Sequence, residues 1–244
     1  MSAKLRGKSP LACMRAKYNH LGDKIFVSNK SYHHGDLKEA LIASARKILT
    51  EQGADALSLR AIASDVGVSH MAPYAHFKNK KALFKSIAAN GFCELSERML
   101  RDSQNLSKAQ DLILAYGATY VAFAIDNPQL YRLMLGQVEN TGRRNQAPRE
   151  RLGPPEASAL EISLMQQEAS SELEASSTLP FSLLQKAFAK ANKSGDEMQI
   201  KAQAVGAWAM VHGMAALIIE GHFTIPESMS LKTFLTMAAV QSPR

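Results

Sequence analysis

Apolar residues recur along this chain at three- and four-residue steps, and that period predicts helices almost throughout. From Asp36, the positions Leu37, Leu41, Ala45, Ile48 and Leu49 form one such face, which Gly53 stops. Ser58 is placed to cap a helix over Leu59 to Asp65, with Ile62 and Val66 turned inward. Gly67 supplies the next corner, and Ser69 is expected to cap a third helix running through Phe77. Asn79 then caps a fourth, with Leu83, Phe84, Ile87, Ala88, Gly91, Leu95 and Met99 on one face.

Beyond residue 105 the pattern changes. Residues 112–125 are apolar almost all round, as in a helix buried among other helices. Asn127-Pro128 ends that helix, because proline disfavours helical geometry in the residue before it and opens helices well. A short helix over 128–136 follows. Residues 139–180 are polar with four prolines, and a helix across 156–174 has only a thin apolar face. Helical patterning resumes over 181–192, 198–221 and 228–240. The stretch 204–219, at 16 residues, is shorter than a membrane-spanning helix requires and reads as a buried helix. Neither a strand pattern nor an internal repeat is visible. The expected fold is all-α, with an N-terminal three-helix helix-turn-helix domain at 32–85 and a larger helical ligand-binding and dimerisation domain at 86–244. Residues 1–31 read as a basic flexible arm, and 139–180 as a polar insertion.

Charge sharpens this division. The chain of 244 residues has a net charge of +7, but residues 1–100 hold 16 basic and 8 acidic side chains, whereas 101–244 hold 13 and 14. All the positive surplus lies at the N-terminal end, where an anionic partner would dock. Seven of the basic residues fall in 1–35, either as a solvated tail or as extra phosphate contacts. Two cysteines build no disulfide framework, which fits a reducing cytoplasm. The spacings of zinc proteases, nucleotide-binding loops and serine hydrolases are missing, so no enzyme, cofactor or metal is expected.

Two short helices meeting at a glycine have the layout of a DNA reader. Ala61 and Ala63 are small enough for a close crossing, and Gly67 gives the positive-φ corner. The expected third helix would carry His70, Met71, Tyr74 and His76 into a major groove, with Lys78, Lys80 and Lys81 clustered beyond it. Residues 32–84 resemble the DNA-binding domain of TetR-family transcriptional regulators: Tyr74, His76, Phe77, Lys80 and Leu83 match its Y-x-H-F-x-x-K-x-x-L ending. Tyr32-His33-His34-Gly35-Asp36-Leu37, Ala72-Pro73-Tyr74, and Trp208, His212 and Gly213 resemble the subgroup named for a Trp-His-Gly motif. The resemblance implies that Ser58 and Arg60 contact phosphate or a base edge, that Ser69, His70 and Met71 face bases, and that Tyr74, His76 and Lys80 hold phosphates. Arg60 would be the main bidentate reader, Met71 offering only apolar contact.

In the C-terminal half, Tyr116, Tyr120, Phe123, Tyr131, Met134, Trp208 and His212, joined by Phe188 and Met214, are candidates to line an apolar ligand cavity. Plain core packing is the competing reading for each. Ala204, Gly206, Ala207, Ala209, Gly213 and Ala215 make one helix small-sided, which suits close approach in a dimer through 200–221 and 228–240. The expected function is thus a homodimeric, ligand-released repressor on double-stranded DNA with an unidentified small-molecule effector and no membrane partner. The alternative is a non-catalytic helical adaptor or membrane-surface protein using the basic N-terminus on an anionic partner, although glycine and proline interrupt any amphipathic helix there.

Overall fold

The computed structural model describes residues 34–136 and 159–240. The basic arm at 1–31 and most of the proline-rich part of the polar insertion lie outside the described residues. Within them the chain is helical: α1 (His34–Gln52), α2 (Leu59–Val66), a 3-10 turn (Ala72–Ala75), α3 (Lys80–Asp102), α4 (Ala109–Asp126), α5 (Pro128–Met134), α6 (Ala159–Ala191), α7 (Glu197–Ile219) and α8 (Leu231–Val240).

The local signals act as their chemistry requires. Ser58 Oγ accepts from the Ala61 N–H at 3.0 Å, and Asn79 Oδ1 accepts from Ala82 N–H at 2.9 Å, so both predicted caps form. Gly67 closes α2 at φ 77° and ψ 30°, its N–H reaching the carbonyls of Ala63 and Ser64. A side chain in that left-handed conformation would be strained. Pro128 opens α5 as its first residue.

Leu41, Leu49, Leu57, Ile62, Phe77 and Leu83 are buried in one cluster around the first helices. That core continues without a break along α3 into the C-terminal body. α3 crosses the expected boundary at residue 85 and belongs to both parts. It buries twelve residues, several of them small (Ala82, Ala88, Ala89, Gly91), and α1, α4, α5 and α6 all pack on it. A ladder of charge runs alongside. Arg46 of α1 bonds Asn90 at 2.9 Å and Glu94 at 2.6 Å, Glu94 bonds Arg98, and Arg98 reaches Asp126 of α4 at 3.0 Å.

Three expectations change. The third helix does not start at Ser69: a single 3-10 turn begins at Ala72, and its N-terminal residue Met71 makes no side-chain cap bond. Pro73 has no N–H for the Ser69 carbonyl and its ring clashes there, so Ala72 N–H bonds that carbonyl in the tighter i→i+3 pattern. α6 is one helix that passes through Pro180, where a break was expected. Burial of Ala169, Ser176, Pro180, Leu184 and Ala187 along its length offsets the lost hydrogen bond. Finally, α7 is not buried all round. It is 23 residues long, enough by length and composition to span a membrane, and one face exposes Met198, Val205, Gly206, Ala209, Gly213 and Leu217.

α3 and α5 interlock most tightly at Gly91, where an added Cβ would lie 2.6 Å from Met134 Sδ and 3.2 Å from Leu130 Cδ1. Gly91→Ala should therefore cost about 1–3 kcal/mol by overpacking, lowering the melting temperature by several degrees. A calorimetric scan showing an unchanged or raised midpoint would contradict that packing.

Candidate nucleic-acid interface and ligand cavity

The segment from Ser58 to Phe77 sorts its side chains sharply. Leu59, Ile62, Ala63, Pro73 and Phe77 are buried, while Ser58, Arg60, Ser69, His70 and Met71 are exposed, Met71 by 53%. The buried set pins α2 and the 3-10 turn to α1 and α3, so the exposed set projects from a fixed surface. Ser58 spends an oxygen lone pair on its cap and keeps its hydroxyl proton to donate outward. Lys47 of α1 pairs with Asp65 of α2 at 3.2 Å and steadies the crossing. Tyr74 and His76 are half-buried, Tyr74 packing on the core and His76 lying 6.3 Å from the Phe77 ring. Lys80 is also half-buried. Its ammonium donates to the Ala54 carbonyl at 3.1 Å and sits 5.3 Å over the Phe84 ring, so it ties the α1–α2 loop to α3 as well as carrying charge.

A cavity of about 340 Å³ opens in the C-terminal body between α4, α6, α7 and α8. Tyr116, Tyr120 and Trp208 line it as expected, with Phe188 of α6. Sequence reasoning missed the aliphatic wall of Ile113, Leu114, Leu184, Val211 and Leu235, since a lining leucine carries the same pattern as a core leucine. Five candidates fall elsewhere. Phe123 lies one turn past Tyr120, beneath the Arg98 guanidinium at 5.3 Å, and Met134 fills the groove at Gly91. Tyr131 and His212 are behind the wall, and Met214 is core.

Behind the wall is a polar triangle. Tyr120 and Tyr131 hydroxyls are 3.3 Å apart, and His212 Nδ1 lies 3.0 Å from the first and 3.3 Å from the second. Tyr120 donates to the Tyr131 hydroxyl, and the donor and acceptor roles at His212 Nδ1 follow the imidazole tautomer. Burial, above all, pushes both phenols well above the ordinary tyrosine range. The Tyr120 ring meets Trp208 edge-on at 4.8 Å, and Phe181 meets Trp208 at 5.8 Å. Tyr120 thus gives the cavity its ring and the triangle its hydroxyl. Among the described residues no charged side chain lines the cavity, its polar side chains besides the tyrosines and Trp208 being Gln110 and Thr236.

Residues 41–87 match the model of bacterial regulatory proteins of the tetR family, and residues 113–239, just over half of the chain, match the tetracyclin repressor-like C-terminal domain. The chain belongs to the TetR family. It is 27% identical over 106 residues to the uncharacterized HTH-type transcriptional regulator YobS of Bacillus subtilis, covering 43% of this chain and 55% of YobS. It is 34% identical over 103 residues to the nucleoid occlusion factor SlmA of Aliivibrio fischeri, covering 40% and 50%. The chain therefore spans about half the length of the curated relatives it matches. Among solved structures, a protein of unknown function from Rhodococcus sp. RHA1 superposes with TM-score 0.62 at 27% identity, covering 86% of this chain and 95% of that one. FadR of Bacillus subtilis, in complex with stearoyl-CoA, shares the fold with TM-score 0.54 at 14% identity, covering 84% and 99%. Both halves of this TetR-family chain thus carry the family fold, with the outward-facing residues in one half and the cavity in the other.

The buried phenols give a pH signature. Stability is undiminished below the ordinary tyrosine value of about 10 and falls above it, because the unfolded chain then releases protons that the folded chain keeps. A tyrosine that stays protonated in the folded chain after its unfolded counterpart has ionised contributes a slope of at most about 1.4 kcal/mol per pH unit. Tyr120→Phe should flatten the decline measured by denaturant titration between about pH 9 and pH 11; an equal slope in the variant would remove Tyr120 from the buried network.

Proposed function

We propose that this TetR-family chain is a homodimeric transcriptional repressor that leaves its operator when a small apolar molecule fills the cavity. The observation that carries the reading is the sorting of residues 58–77, with apolar side chains anchoring the segment and Arg60, Ser69, His70 and Met71 presented together to solvent. Arg60 is the bidentate reader, Ser69, His70 and Met71 approach base edges, and Ser58, Tyr74, His76 and Lys80 contact phosphates. Lys80 keeps two ammonium protons beyond the one given to Ala54.

The exposed face of α7 supports the dimer. Met198, Val205 and Leu217 alternate there with Gly206, Ala209 and Gly213, and Met237 of α8 is exposed as well. Small residues let a second copy approach closely, as in a four-helix interface, and water contact at this face is otherwise costly. Two readers related by a twofold axis would enter successive major grooves of a near-palindromic site, about 34–36 Å apart. Such a regulator acts in the cytoplasm. Ligand release of DNA requires that the ligand bind the geometry with unsuitable reader spacing more tightly than the DNA-binding one.

The cavity lining supports an uncharged ligand. Its wall is hydrocarbon and aromatic face apart from the uncharged Gln110 and Thr236, and the Tyr120 hydroxyl is already taken by Tyr131 and His212. An ion placed there would lose its hydration with no opposite charge to replace it. Of three chains of equal length, 1-decanol should bind at least about tenfold more tightly than decanoate or decyltrimethylammonium, read by the fluorescence of Trp208, the chain's single tryptophan. Tighter binding of either ion would refute an uncharged ligand.

For the DNA half, duplexes selected from a random pool supply the test. Arg60→Ala should relax preference at one base-pair position by about 1–3 kcal/mol. An unchanged preference profile would take Arg60 off the reading surface, and failure of the wild-type chain to select any duplex would end the regulator reading.

A further inference from the structure

Helix α6 is the element whose form the sequence least foretold, and its two halves face different parts of the protein. At 33 residues it is roughly 50 Å long. The C-terminal half lends Leu184 and Phe188 to the cavity wall. The N-terminal half reaches the DNA-binding end: Lys85 of α3 donates to Ser170 Oγ at 2.7 Å, and Lys38 of α1 pairs with Glu172 at 3.5 Å.

Between the halves the helical ladder is weak. Pro180 has no N–H to give the Ser176 carbonyl. The hydroxyls of Ser176, Ser177, Thr178 and Ser182 each donate to a carbonyl three or four residues earlier, a pattern that competes with the ladder and bends helices. Ser176 and Pro180 are buried, so the weak section is held against the body on one side and can flex on the other.

We infer that α6 is a jointed strut: a ligand pressing on Leu184 and Phe188 bends it at residues 176–182, moves its Ser170–Glu172 segment against Lys85 and Lys38, and so re-aims the DNA-binding end. The inference rests on the regulator reading above for its consequence, though not for its mechanics. α5 also touches α1 and α3, but its contact at Gly91 is an apolar interlock that a small shift does not break. α6 also packs along α3, and beside that packing its ties to Lys85 and Lys38 are half-exposed polar contacts, individually weak and readily exchanged for water, which suits a contact that must be made and unmade.

The double variant Ser170→Ala/Glu172→Gln cuts the ties without touching a DNA-facing or cavity residue, and Pro180→Ala alone restores the missing donor. Amide hydrogen exchange over α1 around Lys38, and over the start of α3 around Lys85, reads the mechanics on the full chain without DNA. The double variant should exchange at least threefold faster there while Trp208 fluorescence reports 1-decanol binding within twofold of wild type. Exchange unchanged by the double substitution overturns the strut, whatever the ligand does. With a duplex selected by the wild-type chain, the loss of DNA affinity caused by 1-decanol should shrink to less than twofold in the double variant, and shrink also in Pro180→Ala. Full wild-type release in both variants overturns the coupling. Faster exchange in the double variant, together with a wild-type chain that binds no duplex, upholds the strut and removes the regulator reading.

Discussion

The protein is organised around a helix that has almost no outside. α3 is packed by α1, α4, α5 and α6, and it accommodates four neighbours because Ala82, Ala88, Ala89 and Gly91 bring its backbone close to theirs. Larger side chains at those positions would hold the neighbours apart and open voids that the interior does not tolerate. Since α3 begins at the Asn79 cap beside the 3-10 turn and ends under α4, both halves of the molecule share one core. A displacement of any helix on α3 is therefore felt at residues 58–77, which rest on the start of the same core. The ladder from Arg46 through Glu94 and Arg98 to Asp126 adds direction to that packing, since geometry and charge fix its register along one side of α3.

Much of this was legible in the chain. Local chemistry decides caps and corners, so Ser58, Gly67, Asn79 and Pro128 could be assigned from their neighbours alone. What escaped was decided at longer range or by one competing bond. Pro73 turns the expected third helix into a 3-10 turn because its missing N–H falls where Ser69 needed a partner. Pro180 has the same chemistry and does not end α6, because tertiary burial on both sides outweighs one lost bond. The cavity was legible only through its aromatics. Tyr116, Tyr120 and Trp208 are unusual enough to single out, whereas Leu184 or Val211 in a wall has the same sequence signature as a core residue. Periodicity reports that a side chain turns inward, not whether another side chain meets it there.

The polar triangle explains how Tyr120 lends its ring to the cavity wall while its hydroxyl is satisfied elsewhere. A phenol in the wall would ordinarily hold a water or select for a polar ligand. Here the Tyr120 hydroxyl points behind the wall, where Tyr131 and His212 satisfy it. Three residues from α4, α5 and α7 are thereby joined at one point, and the same tyrosine ring touches Trp208 on the cavity side. A small shift of that ring disturbs a bonded junction of three helices, so occupancy of the cavity and packing of the body are not independent.

The shortness of the proposed reader has a consequence for control. Ser69, His70 and Met71, which lead into a single 3-10 turn, offer few paired hydrogen bonds to base edges, and Arg60 lies on the preceding helix. Under the regulator reading, discrimination then depends heavily on where two such readers stand relative to each other and on how readily the DNA between them deforms. Spacing is a property of the whole dimer, set by the helices that join α7 to the DNA-binding end. A reader with strong base contacts would resist release by a modest change in spacing; one with weak contacts does not. Under that same reading, the economy of residues 69–75 and the long reach of α6 would belong to one arrangement, in which a shift of geometry, rather than loss of any contact residue, would suffice to weaken binding.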